Sequence, residues 1–103
     1  MELRGKQKRF LRSKAHHLQP IFQIGKGGIS GPMITQIGEA LEKRELIKVS
    51  LLQNTDEIAT DVAHILTEEV HCQVVQIIGR ILVLYRPSSK EKYQRISKEV
   101  KAI

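Results

Sequence analysis

Segments of helical and strand periodicity that alternate along the chain, a two-residue glycine turn between two β-rich runs, and a length of 103 residues predict one α+β domain. The elements read α-β-α-β-α-β-β, and their faces need two or three layers to be buried. That length suits a single modest core and leaves no room for a separate substrate-binding module. No apolar run approaches the roughly twenty residues of a membrane helix.

The first helix spans residues 5–18, where Leu11, Ala15 and Leu18 recur at helical spacing and Lys6, Lys8, Arg9 and Arg12 point elsewhere around the wheel. Pro20 stops it, and residues 21–24 (IFQI) form a short buried strand. A glycine loop follows. Ser30 is then the N-cap of a second helix, with Pro32 in its first turn and Ile34, Ile37 and Leu41 as its apolar stripe up to Arg44. Gly38 shares that stripe, which implies close packing on the sheet. In ELIKVSLL, Ile47, Val49 and Leu51 face one way and Lys48 and Ser50 the other, the alternation of a strand with one partly wet face.

Asn54 followed by Glu57 signals a third helix start, with Ile58, Val62, Ile65 and Leu66 as the stripe and Val70 near the end. Residues 73–78 and 81–86 are separated only by Gly79 and Arg80, and glycine at the first central position suits a type II′ hairpin. With right-handed crossovers and the second strand between the first and the hairpin, the two crossover helices share a face. The first helix then takes an edge or the opposite face. Residues 1–87 make up the domain. Residues 88–103 form a basic tail in which Tyr93, Ile96, Val100 and Ile103 keep helical spacing, so a further helix is possible there.

The chain has 17 Lys and Arg against 11 Asp and Glu, a formal charge of +6. The charge is polarised. Arg4, Lys6, Lys8, Arg9, Arg12 and Lys14 crowd the start, whereas residues 54–78 hold Asp56, Glu57, Asp61, Glu68 and Glu69 with no Lys or Arg. One surface facing a polyanion and an acidic helix facing away would explain this; so would a solvated basic helix that only aids solubility.

Four of the seven glycines fall in QIGKGGISGPM, residues 23–33, between a strand and a helix N-terminus, a setting suited to phosphate. A P-loop needs Ser or Thr directly after the Gly-Lys pair, and Lys26 is followed by Gly27. A dinucleotide fingerprint is approached by Gly25, Gly27 and Ser30 with Glu45 downstream, but its third glycine is missing. The remaining readings are a Gly-x-x-Gly clamp for a nucleic-acid backbone, Gly25-Lys26-Gly27-Gly28, and a purely structural tight turn.

His64, Glu68 and His71 could share a helical face, yet no zinc-type pairing of Cys or His occurs, and no metal ligand is assigned. Cys72, the single cysteine, reads as a core residue and fits a reducing cytosol. The carboxylates form no catalytic pair, so no catalytic residue and no cofactor are expected. Phe10, Phe22, Tyr85 and Tyr93 are too few for an aromatic platform, and Phe22 and Tyr85 read as core.

The stretches KQKRFLRSKAHHLQPIFQIGKGGIS, ALEKRELIKVSLL and VVQIIGRILVLYRP, in that order over residues 3–87, resemble the CRM domain, in particular the small stand-alone bacterial YhbY-like RNA-binding proteins. The resemblance implies a four-stranded mixed sheet like that of the C-terminal domain of translation initiation factor three. It also implies association with ribosomal RNA in precursors of the large ribosomal subunit. By position, Gly25, Lys26, Gly27 and Gly28 take the clamp role and Lys6, Lys8, Arg9 and Arg12 add cations to the same surface. A cytoplasmic, non-enzymatic monomer with RNA as its partner and no membrane association is expected. The alternatives are a general RNA or transfer RNA chaperone and, from another class, a small nucleotide-dependent enzyme.

Overall fold

The hydrophobic stripes assemble as follows in a computed structural model that describes residues 2–103. In chain order the elements are α1 (Gly5–Ala15), β1 (Pro20–Ile24), α2 (Gly31–Arg44), β2 (Leu46–Leu51), α3 (Ala59–Val70), β3 (Gln73–Ile78) and β4 (Ile81–Tyr85). A 3-10 turn (Glu91–Tyr93) and a short helix α4 (Ile96–Lys101) follow. The four strands form one mixed sheet in the order β1-β2-β4-β3. β1 runs parallel to β2, and β4 is antiparallel to both β2 and β3.

Because β2 lies inside β1, the two crossover helices cover the same face. Ile37 and Leu41 of α2 and Val62, Leu66 and Val70 of α3 close over Ile24, Ile47, Val49, Leu82 and Leu84. Full burial of a Leu or Ile side chain is worth roughly 1.5–3 kcal/mol, so this face supplies most of the folding drive. On the other face α1 and α4 bury Leu11, Ala15 and Val100 against Leu46, Val75, Val83 and Tyr85. The sheet is thus sandwiched, with α1 opposite the crossover helices. At the hairpin Gly79 has φ 57° while Arg80 is not among the positive-φ residues, the type II′ pattern.

Several boundaries differ from the sequence expectation. α1 ends at Ala15, because residues 16–17 turn the chain toward β1 and the Leu18 N–H closes that turn on the Ala15 carbonyl at 2.9 Å; Leu18 is left exposed. Asn54 caps nothing. The Leu52 N–H extends the parallel ladder to the Ile24 carbonyl (2.9 Å), a turn from Thr55 to Leu52 follows, and α3 begins only after Ile58. Asp56 and Glu57 therefore precede the helix, and Ile58 is exposed. Gly38 faces Val70 and Arg86 instead of the sheet, and a Cβ there would make only ordinary contact, 3.8 Å from Val70 Cγ1.

The tail docks on the domain. Its organiser is Glu45, a buried residue in the left-handed conformation (φ 66°) at the C-terminus of α2. Glu45 Oε2 accepts the Ser88 N–H at 2.8 Å, and Oε1 accepts those of Arg95 at 3.0 Å and Ser97 at 3.1 Å. Burial alone would raise the Glu45 pKa; these hydrogen bonds outweigh it and hold the carboxyl below the ordinary value. Glu42 similarly accepts the Ser89 N–H and hydroxyl. The two chain ends meet where the Gln7 amide and the Arg4 guanidinium donate to the carbonyls of Val100 and Ile103.

Candidate nucleic-acid interface

The glycine loop opens where β1 ends at buried Ile24. The Gly28 N–H donates to the Gly25 carbonyl at 3.0 Å, closing a four-residue turn with Lys26 and Gly27 exposed at its tip. Among the described residues, the backbone N–H groups of Lys26 and Gly27 donate to no protein acceptor. The glycines have different reasons to be there. Gly28 has φ 70°, and a Cβ on it would lie 2.9 Å from Glu57 Oε1, whereas a Cβ on Gly27 would meet nothing within 4 Å. Gly28 is thus fixed by the fold, and Gly27 leaves clearance on the solvent side. Directly beyond, the Ser30 hydroxyl accepts the Met33 N–H at 3.3 Å as the N-cap of α2, whose positive dipole end lies beside the turn.

Two other segments reach the same end of the sheet. The Leu51 N–H donates to the Arg80 carbonyl at 2.8 Å, and Arg80 Nη1 donates to the Leu52 carbonyl at 3.1 Å, tying the hairpin turn to the loop after β2. That loop packs on the glycine turn through Asn54, near Gly25, and through Glu57, at Gly28. This corrects the expectation that the acidic stretch faces away as one unit: Asp61 is exposed on α3, whereas Glu57 lies against the candidate clamp.

Lys6, Lys8, Arg9 and Arg12 are all exposed on α1. Leu11 and Ala15 fix the rotation of the helix, and at about 100° per residue Lys8 and Arg12 fall on one flank while Lys6 and Arg9 point toward solvent. Arg12 and His16 border a recess of about 60 Å³ with Lys48, Gln76 and Ile78 on the sheet. The other flank is taken up by α4: Lys14 Nζ is 3.6 Å from a Glu99 carboxylate oxygen, and Phe10 packs in the α4-side core. The recess joins Arg12 to a sheet face that leads through Ile78 to the Gly79–Arg80 turn. Lys48 and Arg80 join this surface only in the fold. For Lys48 the signal was its outward position in the alternation of β2; for Arg80 nothing local distinguished a turn residue from a ligand.

Other candidates are absorbed by the fold. The Cys72 thiol is buried and its pKa is pushed up to about 11, so it is an un-ionised core group. Glu45, the downstream acidic residue of the dinucleotide reading, is committed to the tail. Among the described residues no three His, Cys, Asp or Glu side chains converge as metal ligands do, and no helix is long and apolar enough to cross a membrane.

Fold and site define a small α+β domain that presents an open Gly-x-x-Gly turn beside a helix N-terminus, with a basic helix on the opposite face of its sheet. The family model of the CRS1/YhbY (CRM) domain matches residues 3–86, and the chain belongs to that family. It is 62% identical over 90 residues to the Bacillus subtilis protein named probable RNA-binding protein YqeI, spanning 87% of this chain and 94% of that protein. It is 40% identical over 92 residues to a Haemophilus influenzae protein named RNA-binding protein, spanning 89% and 93%. The solution structure of the hypothetical protein SAV1595 from Staphylococcus aureus superposes with a TM-score of 0.73 at 51% identity, covering 91% of this chain and 98% of that one.

Proposed function

We propose that this protein is a non-enzymatic RNA-binding domain that associates with ribosomal RNA in precursors of the large ribosomal subunit and assists their assembly. It acts in the cytoplasm, as a monomer, without a cofactor. The observation that carries the reading is the Gly25–Gly28 turn: exposed N–H groups on Lys26 and Gly27, a cation on Lys26, and open space at Gly27 where a Cβ would meet nothing. An RNA backbone can approach such a turn, take hydrogen bonds from the main chain and an ion pair from Lys26, and lie by the positive end of α2. Arg12, Lys48 and Arg80 extend the cationic surface, and Lys6, Lys8 and Arg9 add longer-range attraction. The names of the relatives agree with RNA as the partner.

The test is binding of a large-subunit ribosomal RNA fragment across a salt series. Lys26→Ala should weaken binding uniformly across sequences and lower the salt slope by about 0.7–0.9, the value for one phosphate contact. Gly27→Asp should weaken it further, because it sets bulk and negative charge against phosphate. Unchanged affinity in a folded Gly27→Asp variant would refute the loop as the contact. Equal affinity for transfer RNA would convert the reading to a general RNA chaperone.

A further inference from the structure

The docked tail builds a second feature far from the glycine turn. Lys43 and Arg44 end α2, about 20 Å along the helix from Ser30. With Tyr93, Arg95 and Ile96 they line a cavity of about 400 Å³, within the range of small-ligand clefts. Three of these five residues lie beyond the matched family domain, which stops at residue 86. Among the described residues the side chains of Lys43, Arg44 and Arg95 make no ion pair. The acidic side chains nearby are already committed: Glu45 to the N–H groups of Ser88, Arg95 and Ser97, and Glu42 to Ser89 and Arg86. Tyr93 is half-buried. Lys92 Nζ stands 5.1 Å over its ring and does not line the cavity.

From this geometry we infer that the cavity between the end of α2 and the tail is a nucleotide-binding subsite for single-stranded RNA. One base stacks on Tyr93, and the adjoining phosphates lie on Lys43, Arg44 and Arg95. The inference rests on the RNA-binding reading above and adds a second contact, at the other end of α2, that reads an unpaired base where the glycine turn holds backbone. The chemistry selects this occupant. A lone ring with apolar walls suits a base face, and three cations without counter-ions suit phosphates. Because the tail carries the ring, the subsite exists only while Glu45 holds the tail in place.

The chain has two tyrosines and no tryptophan, and Tyr85 is fully buried and out of reach of a ligand, so a change in tyrosine emission on ligand binding reports on Tyr93. A short single-stranded oligoadenylate should quench that emission on binding. Tyr93→Leu keeps an apolar side chain but lacks the emitting ring, so its binding is read from the anisotropy of an end-labelled oligoadenylate alongside wild type, and it should be weaker about fivefold or more, the effect of one lost stack. The pair Lys43→Glu and Arg44→Glu, both exposed, should weaken it more than Lys98→Glu with Lys101→Glu, which changes net charge equally elsewhere on the surface. The inference is overturned if wild type does not bind oligoadenylate, if folded Tyr93→Leu binds like wild type, or if the two charge-reversed pairs lose affinity equally. Should Tyr93→Leu fail to fold, the charge-reversal comparison decides alone. Retention of ribosomal RNA binding that still depends on Lys26 would then remove the subsite and leave the proposed function standing; loss of that dependence too would remove both.

Discussion

Gly27 and Gly28 are adjacent, chemically identical and predicted to behave in opposite ways when each is changed to Ala. Gly28 sits at φ 70°, where an L residue pays about 1–2 kcal/mol, and its new methyl would meet Glu57 Oε1 at 2.9 Å. That contact is with the far end of a flexible side chain, which can swing away, so the backbone term dominates the cost. Gly27 has no positive φ and open space around it, so Ala there removes unfolded-state entropy and should leave stability unchanged or raise it by about 0.4–1 kcal/mol. For a domain of this size 1 kcal/mol moves Tm by roughly 4–8 °C. Thermal melting should therefore show Gly28→Ala lower by on the order of 5–15 °C and Gly27→Ala at or slightly above wild type. RNA affinity should divide the other way, with Gly27→Ala weakened because its methyl occupies the approach. A Gly28→Ala variant that melts with wild type, or a Gly27→Ala variant that melts well below it, would refute this division of labour.

Glu45→Gln should lower unfolding free energy by roughly 1–3 kcal/mol, because the amide nitrogen cannot accept one of the N–H groups of Ser88, Arg95 and Ser97; amide exchange at those residues should quicken. The Glu45 carboxyl titrates below its ordinary 4.5 in the folded state, so its stabilisation is complete above that pH and is lost as pH falls through the lowered value. Urea unfolding of wild type should weaken below about pH 4.5 more steeply than that of Glu45→Gln, and parallel curves would exclude Glu45 as the acid-sensitive group. Glu57→Gln removes a negative charge from beside the glycine turn and should tighten RNA binding several-fold at low salt, with the gain fading at high salt. Weaker binding in that variant would mean that Glu57 is itself an RNA contact.

Local pattern was enough for the elements whose signals lie within a few residues. Gly79 and Arg80 between Val- and Ile-rich runs define the hairpin, Ser30 and Pro32 the start of α2, and Ile47, Val49 and Leu51 the buried face of β2, because capping, turn chemistry and period-two burial are properties of adjacent positions. The glycine cluster was likewise legible as a turn beside a helix N-terminus.

The tertiary structure decided everything that depends on residues distant in sequence. Which of two adjacent glycines is structural follows from the φ of 70° that Gly28 takes in the folded loop, with Glu57, twenty-nine positions on, packed against it. Where α3 begins follows from the Leu52 N–H reaching back to Ile24 across two parallel strands. Glu45 has the signature of an ordinary surface carboxylate in sequence. In the fold it adopts a left-handed conformation and is buried, because three N–H groups from residues 88–97 converge on its oxygens. Sequence period reports which face of an element is apolar. What covers that face, and which charges end up side by side, is set only when the chain closes on itself and distant polar groups must find partners out of water.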